Sequence, residues 1–290
     1  MRVRFWGTRG SIPTPGPSTL RYGGNTACVE LETRAGTRFI LDSGTGIREL
    51  GLHLARLGGR LSAHVLLGHT HWDHIAGFPF FSPAFVAGNK LVIYGARDLD
   101  RPLRDVLASQ MHYTYFPVPL GELRAEIDFA ELEEGQLQIE DATVRTHYLN
   151  HTAVCMGYRL QADGAAIAYV TDHEPYGLDA ARAGDGLGRV VHGGDRRLIE
   201  FVRGVDLLIQ DAQYTPEEYA HRRGWGHGST DYVTDVAVQA AARRLALFHH
   251  EPTHADEDLD RMVDYARERA AAAGARLDVF AAAEGAELSF

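Results

Sequence analysis

Residues 63–68 (AHVLLG) form a short, unbroken apolar run that ends directly in His69-Thr70-His71-Trp72-Asp73-His74. A run of this length without polar alternation predicts a strand buried on both faces, and therefore a sheet covered by other layers. The pattern returns twice: residues 165–170 (AAIAYV) run into Thr171 and Asp172, and residues 244–248 (RLALF) run into His249. Three buried strands thus end in imidazoles or carboxylates, which places ligand-type side chains at the C-terminal edges of those strands.

The remaining pattern is strand-rich in both halves, with helices between. Alternation of β-branched and aromatic residues with polar ones predicts strands at 2–6, 26–33 and 37–42, and strands also at 90–94 and 143–149. Helix 45–57 carries Ile47, Leu50, Leu54 and Leu57 on one face, and helix 101–111 follows later. Helix 229–243 opens at Ser229 or Thr230, helix 256–272 turns Leu259, Met262, Val263 and Ala266 inward, and the C-terminal segment reads as closing strands. Five glycines in residues 184–194 read as a mobile loop, a lid candidate. No linker or fixed-period repeat interrupts the chain, so residues 1–290 are expected to form one continuous domain.

Composition narrows the function classes. With 290 residues, 45% of them hydrophobic, the chain can bury a core without staples. Two cysteines, without C-x-x-C spacing, suggest neither a disulfide framework nor a thiolate zinc site, which fits a reducing cytoplasmic compartment. No apolar stretch reaches the ~18 residues of a membrane span, and the N-terminal segment lacks a signal-type apolar region. A net charge of −10 opposes non-specific attraction to a polyphosphate backbone.

Fifteen histidines are the informative residues, through their distribution. In the H-x-H-x-D-H motif, His69 and His71 sit two positions apart and can face one metal, while Asp73 and His74 can face a second beside it. Imidazole and carboxylate suit zinc, manganese or iron. The motif, placed after a hydrophobic strand, resembles the signature of the metallo-β-lactamase superfamily. That resemblance implies a four-layer αββα sandwich of two strand-rich halves, a third histidine after a later strand, a metal-bridging carboxylate and a last histidine near the C-terminus. Asn150-His151, followed by Gly157-Tyr158-Arg159, is similar to the corresponding segment of the ribonuclease Z-like, cyclic phosphodiesterase-type branch and makes His151 the third ligand, with His147 as competitor. Asp172 matches the bridging aspartate. His249 matches the last ligand, with His250 as the alternative. His227, in a Gly226-His227-Gly228-Ser229-Thr230 segment with one glycine more than the branch pattern, matches a histidine over the metals that assists the leaving group. Asp42 resembles an early aspartate supporting the histidine loop from behind. His173, Glu174 and His250 are expected to contact substrate, Asp73 to take part in the chemistry as well as in binding, and His254 to lie at the surface or mouth.

The ligand set implies two divalent metal ions, with Zn2+ first and Mn2+ or Fe as alternatives, sharing a bridging hydroxide that attacks the substrate. The expected activity is a phosphodiesterase acting on a small phosphodiester: a cyclic nucleotide, a cyclic phosphate or a short nucleotide. A thioester or lactone hydrolase with the same metals, and a non-catalytic metal-binding module, are the alternatives. Only residues 152–171 separate His151 from Asp172, which leaves no room for a tRNA-binding arm there, so tRNA is not expected as a partner. The aromatics of residues 111–123 (MHYTYFPVPLGEL) fit a pocket wall or a homodimer contact.

Overall fold

The computed structural model describes residues 1–97, 100–177 and 192–290. Its strands are β1 (Arg2–Gly7), β2 (Cys28–Glu32), β3 (Arg38–Leu41), β4 (Ser62–Leu66), β5 (Lys90–Ala96), β6 (Glu126–Leu132), β7 (Gly135–Ile139), β8 (Ala142–Leu149), β9 (Cys155–Ala162), β10 (Ala165–Val170), β11 (Leu207–Asp211), β12 (Arg244–Phe248), β13 (Asp278–Ala281) and β14 (Glu287–Ser289). The helices are α1 (Ile47–Leu57), α2 (Trp72–Ile75), α3 (Leu103–Gln110), α4 (Gly193–Phe201), α5 (Pro216–Tyr219), α6 (Thr230–Gln239) and α7 (Asp256–Ala272).

Two seven-stranded sheets run in the orders β14-β1-β2-β3-β4-β5-β6 and β13-β12-β11-β10-β9-β8-β7. Each contains three antiparallel and three parallel pairings, so the halves share a topology although their sequences show no repeat. Phe5, Leu31, Phe39 and Leu66 of the first sheet pack with Tyr158, Ile167, Ile209 and Phe248 of the second in the central core. Ile40, Val65 and Ile93 face outward onto α1 and α3 through Ile47, Leu50 and Leu107. Ala168, Val170 and Leu208 face the opposite way onto α4, α6 and α7 through Leu198, Val236 and Met262. The layers are therefore helix, sheet, sheet, helix, the αββα sandwich expected.

Both faces of β4, β10 and β12 are covered, which is why their sequences read as continuous apolar runs rather than alternating ones. Helix α6 stops at Gln239, short of the expected 243, because Ala241 takes a left-handed backbone (φ 52°) and turns the chain into β12. The expected glycine-rich loop lies mostly outside the described residues; within them, Gly193 and Gly194 open α4. Among the described residues no helix is long and apolar enough to cross a membrane.

Candidate metal centre

The C-terminal ends of β3, β4, β8, β10, β11 and β12, with the loops after them, bring Asp42, the histidine motif, His151, Asp172, Asp211 and His249 together. Ligand-type atoms of His69, His71, His151 and Asp172 lie within 4.8 Å of one another, as do those of Asp73, His74, Asp172 and His249. The two oxygens of Asp172 divide between these groups. Oδ2 is 3.5 Å from His69 Nε2 and 3.6 Å from His151 Nε2; Oδ1 is 3.3 Å from His74 Nε2 and 3.2 Å from His249 Nε2.

Three features of this cluster suit cations. Four ligands about 2.1 Å from a tetrahedral metal lie about 3.3–3.4 Å apart, which is the spacing found here. His69 Nε2 is buried with no hydrogen-bond partner, an arrangement that is costly for an imidazole unless something else takes its lone pair. Asp42, Asp73, Asp172 and Asp211 are all buried, and among the described residues their ion-pair partners are histidines only, with no lysine or arginine. Burial pushes the pKa values of His69, His71 and His151 down, toward the neutral form that coordinates metals. At His74 burial is overruled by Asp73, Asp172 and Asp42, and its pKa rises well above the ordinary value. That excess of negative charge is what a pair of cations would neutralise.

Three of the rings are fixed from behind. His74 Nδ1–H donates to Asp42 at 2.7 Å, His151 Nδ1–H donates to the Gly226 carbonyl at 2.8 Å, and His249 Nδ1–H donates to Gln213 Oε1 at 3.2 Å. His69 Nδ1 lies 3.8 Å from Cys155 Sγ. Asp42 also accepts from the Gly68 amide and the Tyr169 hydroxyl, each at 2.6 Å, and so ties the start of the histidine loop to both sheets. Asp42, Asp172 and His249 all adopt left-handed backbones (φ 59°, 42° and 58°), a conformation that costs about 1–3 kcal/mol each and is held by the surrounding contacts. A Cβ at Gly10 would overlap the His249 ring and one at Gly226 the His151 ring, which accounts for glycine at both places. Asp42→Asn is expected to weaken metal affinity about 10–100-fold by turning a donor toward donors behind His74. Competition against a chromophoric chelator measures this, and unchanged affinity would mean His74 does not depend on Asp42.

A further group joins Asp172, Asp211, His227 and His249. His227 Nδ1 is 3.0 Å from Asp211 Oδ2; burial opposes its charge, but Asp211 prevails and pushes the pKa up to about 9. Asp211 is the residue that the sequence analysis missed, although it too ends a buried strand, LLIQD. Ser11, whose amide donates to Asp73 Oδ2 at 2.7 Å, was also passed over. A 510 Å3 cavity over the cluster is lined by Ser11, Thr70, His71, Trp72, Asp73, Asp172 and His227.

His147, the competitor of His151, points away to Glu134 at 3.0 Å. The expected substrate contacts need correction. His173 is buried, its Nε2 paired with the Tyr232 hydroxyl at 3.0 Å and its Nδ1 accepting from the Asn150 amide. Glu174 accepts from the amides of Gly224 and Gly226 and from the Tyr219 hydroxyl, so it braces the loop carrying His227. His250 is buried, its Nε2–H donating to the Ala282 carbonyl, and burial first of all lowers its pKa to about 3. His254, expected near the surface, is buried and pairs with Glu218.

A family model described as a β-lactamase superfamily domain matches residues 37–250. The ribonuclease Z of Bacillus mycoides is 24% identical over 92% of this chain and 94% of its own. Among solved structures, the metallo-β-lactamase fold protein YhfI from Bacillus subtilis superposes with a TM-score of 0.68 at 17% identity, covering 99% of each chain. Human tRNase Z, short form, gives a TM-score of 0.64 at 19% identity over 100% of this chain and 99% of its own. The ribonuclease Z relatives overturn the expectation that tRNA is not a partner, and a small-molecule substrate gains no support from them. Net charge is a property of the whole chain and does not describe a local groove, and the short span from His151 to Asp172 does not separate this chain from proteins that align along nearly its full length.

Proposed function

We propose, from the premise that this chain belongs to the metallo-β-lactamase superfamily, that it is a dinuclear metal-dependent phosphodiester hydrolase. His69, His71, His151 and Asp172 would hold one divalent cation, and Asp73, His74, His249 and Asp172 would hold the other. Zinc suits this imidazole-rich set best, with manganese or iron accepted by the same donors. The observation that carries the reading is the division of the Asp172 oxygens between two histidine groups.

Bound metals of this kind lower the pKa of a coordinated water and neutralise charge on phosphoryl oxygens. The chain's own residues do the rest. Asp73, anchored by the Ser11 amide, lines the cavity and orients the attacking water by accepting its hydrogen bond. His227, held through Nδ1 by Asp211, is the proton donor for the departing oxygen through Nε2. The proposal concerns the bond, since a compact nucleotide diester and a diester within RNA present the same phosphorus.

His227→Ala should lower turnover about 100-fold while metal content is kept, because general-acid assistance is worth about 10²–10⁴. Parallel loss of metal would make His227 a ligand instead. The overall reading is tested with metal-loaded protein on bis-p-nitrophenyl phosphate beside thioester and lactone panels. Turnover of the phosphodiester is expected; turnover confined to a thioester or a lactone would move the chain to another reaction.

A further inference from the structure

The chain has three tryptophans. Trp6 is buried, with its indole N–H donating to Glu30 at 3.0 Å. The other two stand in solvent, Trp72 at 81% and Trp225 at 60% exposure. An indole left in water forgoes the large apolar burial that normally draws it inside, and no arginine is placed over either ring among the described residues.

Their positions are not scattered. Trp72 lies between His71 and Asp73 and lines the cavity with both. Trp225 precedes Gly226, the residue whose carbonyl receives the His151 Nδ1–H. His71 Nδ1 and His151 Nε2 are 3.2 Å apart, so the two indole-bearing segments meet at this pair, one through His71 and the other through the Gly226 carbonyl bound by His151. Ile12 and Val154 are exposed as well, one residue after Ser11 and three after His151. Four exposed apolar side chains on four segments, each within three residues of the centre or its cavity, suit a recognition surface.

Resting on the phosphodiester reading above, we propose that Trp72 and Trp225 form a stacking platform for the nucleobases next to the scissile phosphate. The substrate class is then nucleoside-bearing diesters. Every nucleobase has a π-face, so such a platform takes nucleotides without demanding one base. It adds to the centre what carboxylates and imidazoles lack: a means of telling a nucleotide diester from a simple alkyl one.

The test compares thymidine 5′-(p-nitrophenyl phosphate) with methyl p-nitrophenyl phosphate, which share a leaving group and differ in the nucleoside. The protein should prefer the first, and Trp72→Ala and Trp225→Ala should each cut that preference about tenfold, chiefly through KM. A preference left intact in both variants, or equal losses on both substrates, overturns the platform. Loss of a dimer with the preference unchanged overturns it too, by making the surface a contact between copies. Quenching of intrinsic fluorescence by thymidine 5′-monophosphate, weakened in Trp72→Ala, reads binding without turnover. Quenching without hydrolysis of any diester would sink the phosphodiester reading and keep the platform; hydrolysis of both diesters with neither quenching nor preference would do the reverse.

Discussion

Asp172→Ala is expected to lower phosphodiester turnover by at least about 10³-fold while the far-ultraviolet circular dichroism stays unchanged. The carboxylate lies 3.2–3.8 Å from five of the histidines of the cluster, His69, His74, His151, His227 and His249. Its removal takes one donor from each proposed cation at once, which no other single substitution does. The fold should survive, because Asp172 follows β10 at the edge of the sheet and the packed side chains of β10 lie in the cores on either side of it. Full activity in this variant would remove the bridging role. Loss of activity together with loss of the circular dichroism would leave it a structural residue.

Chelation carries the second large effect. A ligand that binds only the folded chain stabilises it by about 2.7 kcal/mol when present at a hundred times its Kd. At roughly 2–4 °C per kcal/mol for a chain of this size, removing the metals should lower Tm by about 5–10 °C and abolish turnover together. The physical source is the set of buried carboxylates, which are cut off from water and face histidines but no lysine or arginine among the described residues. An unchanged Tm in protein shown to be metal-free would separate the cluster from any role in metal binding.

Much of this centre was legible in the sequence because the fold puts its donors where strands end. A strand buried on both faces announces itself as an unbroken apolar run, and the first polar residue after it stands at the sheet edge; AHVLLG, AAIAYV and RLALF each follow that rule. LLIQD follows it too, but Gln210 interrupts the run after three apolar residues and hides Asp211. The misplaced substrate contacts have a different cause. Asp172 and His249 adopt left-handed backbones, which break strand alternation and swing His173, Glu174 and His250 into the interior. Nothing in the local sequence announces such a turn at a non-glycine residue. Strands β6 and β7 give no clean apolar pattern because they are the edge strands of their sheets, with exposed charged and polar side chains. The shared topology of the two sheets left no sequence repeat, since burial rather than residue identity is what the halves have in common.

The direct test of the centre is anomalous scattering from crystals of this protein equilibrated with zinc or manganese. Two peaks are expected on either side of Asp172, one within coordination distance of His69, His71 and His151 and the other within reach of Asp73, His74 and His249. A single peak, or peaks that leave Asp172 uncoordinated, would contradict the account.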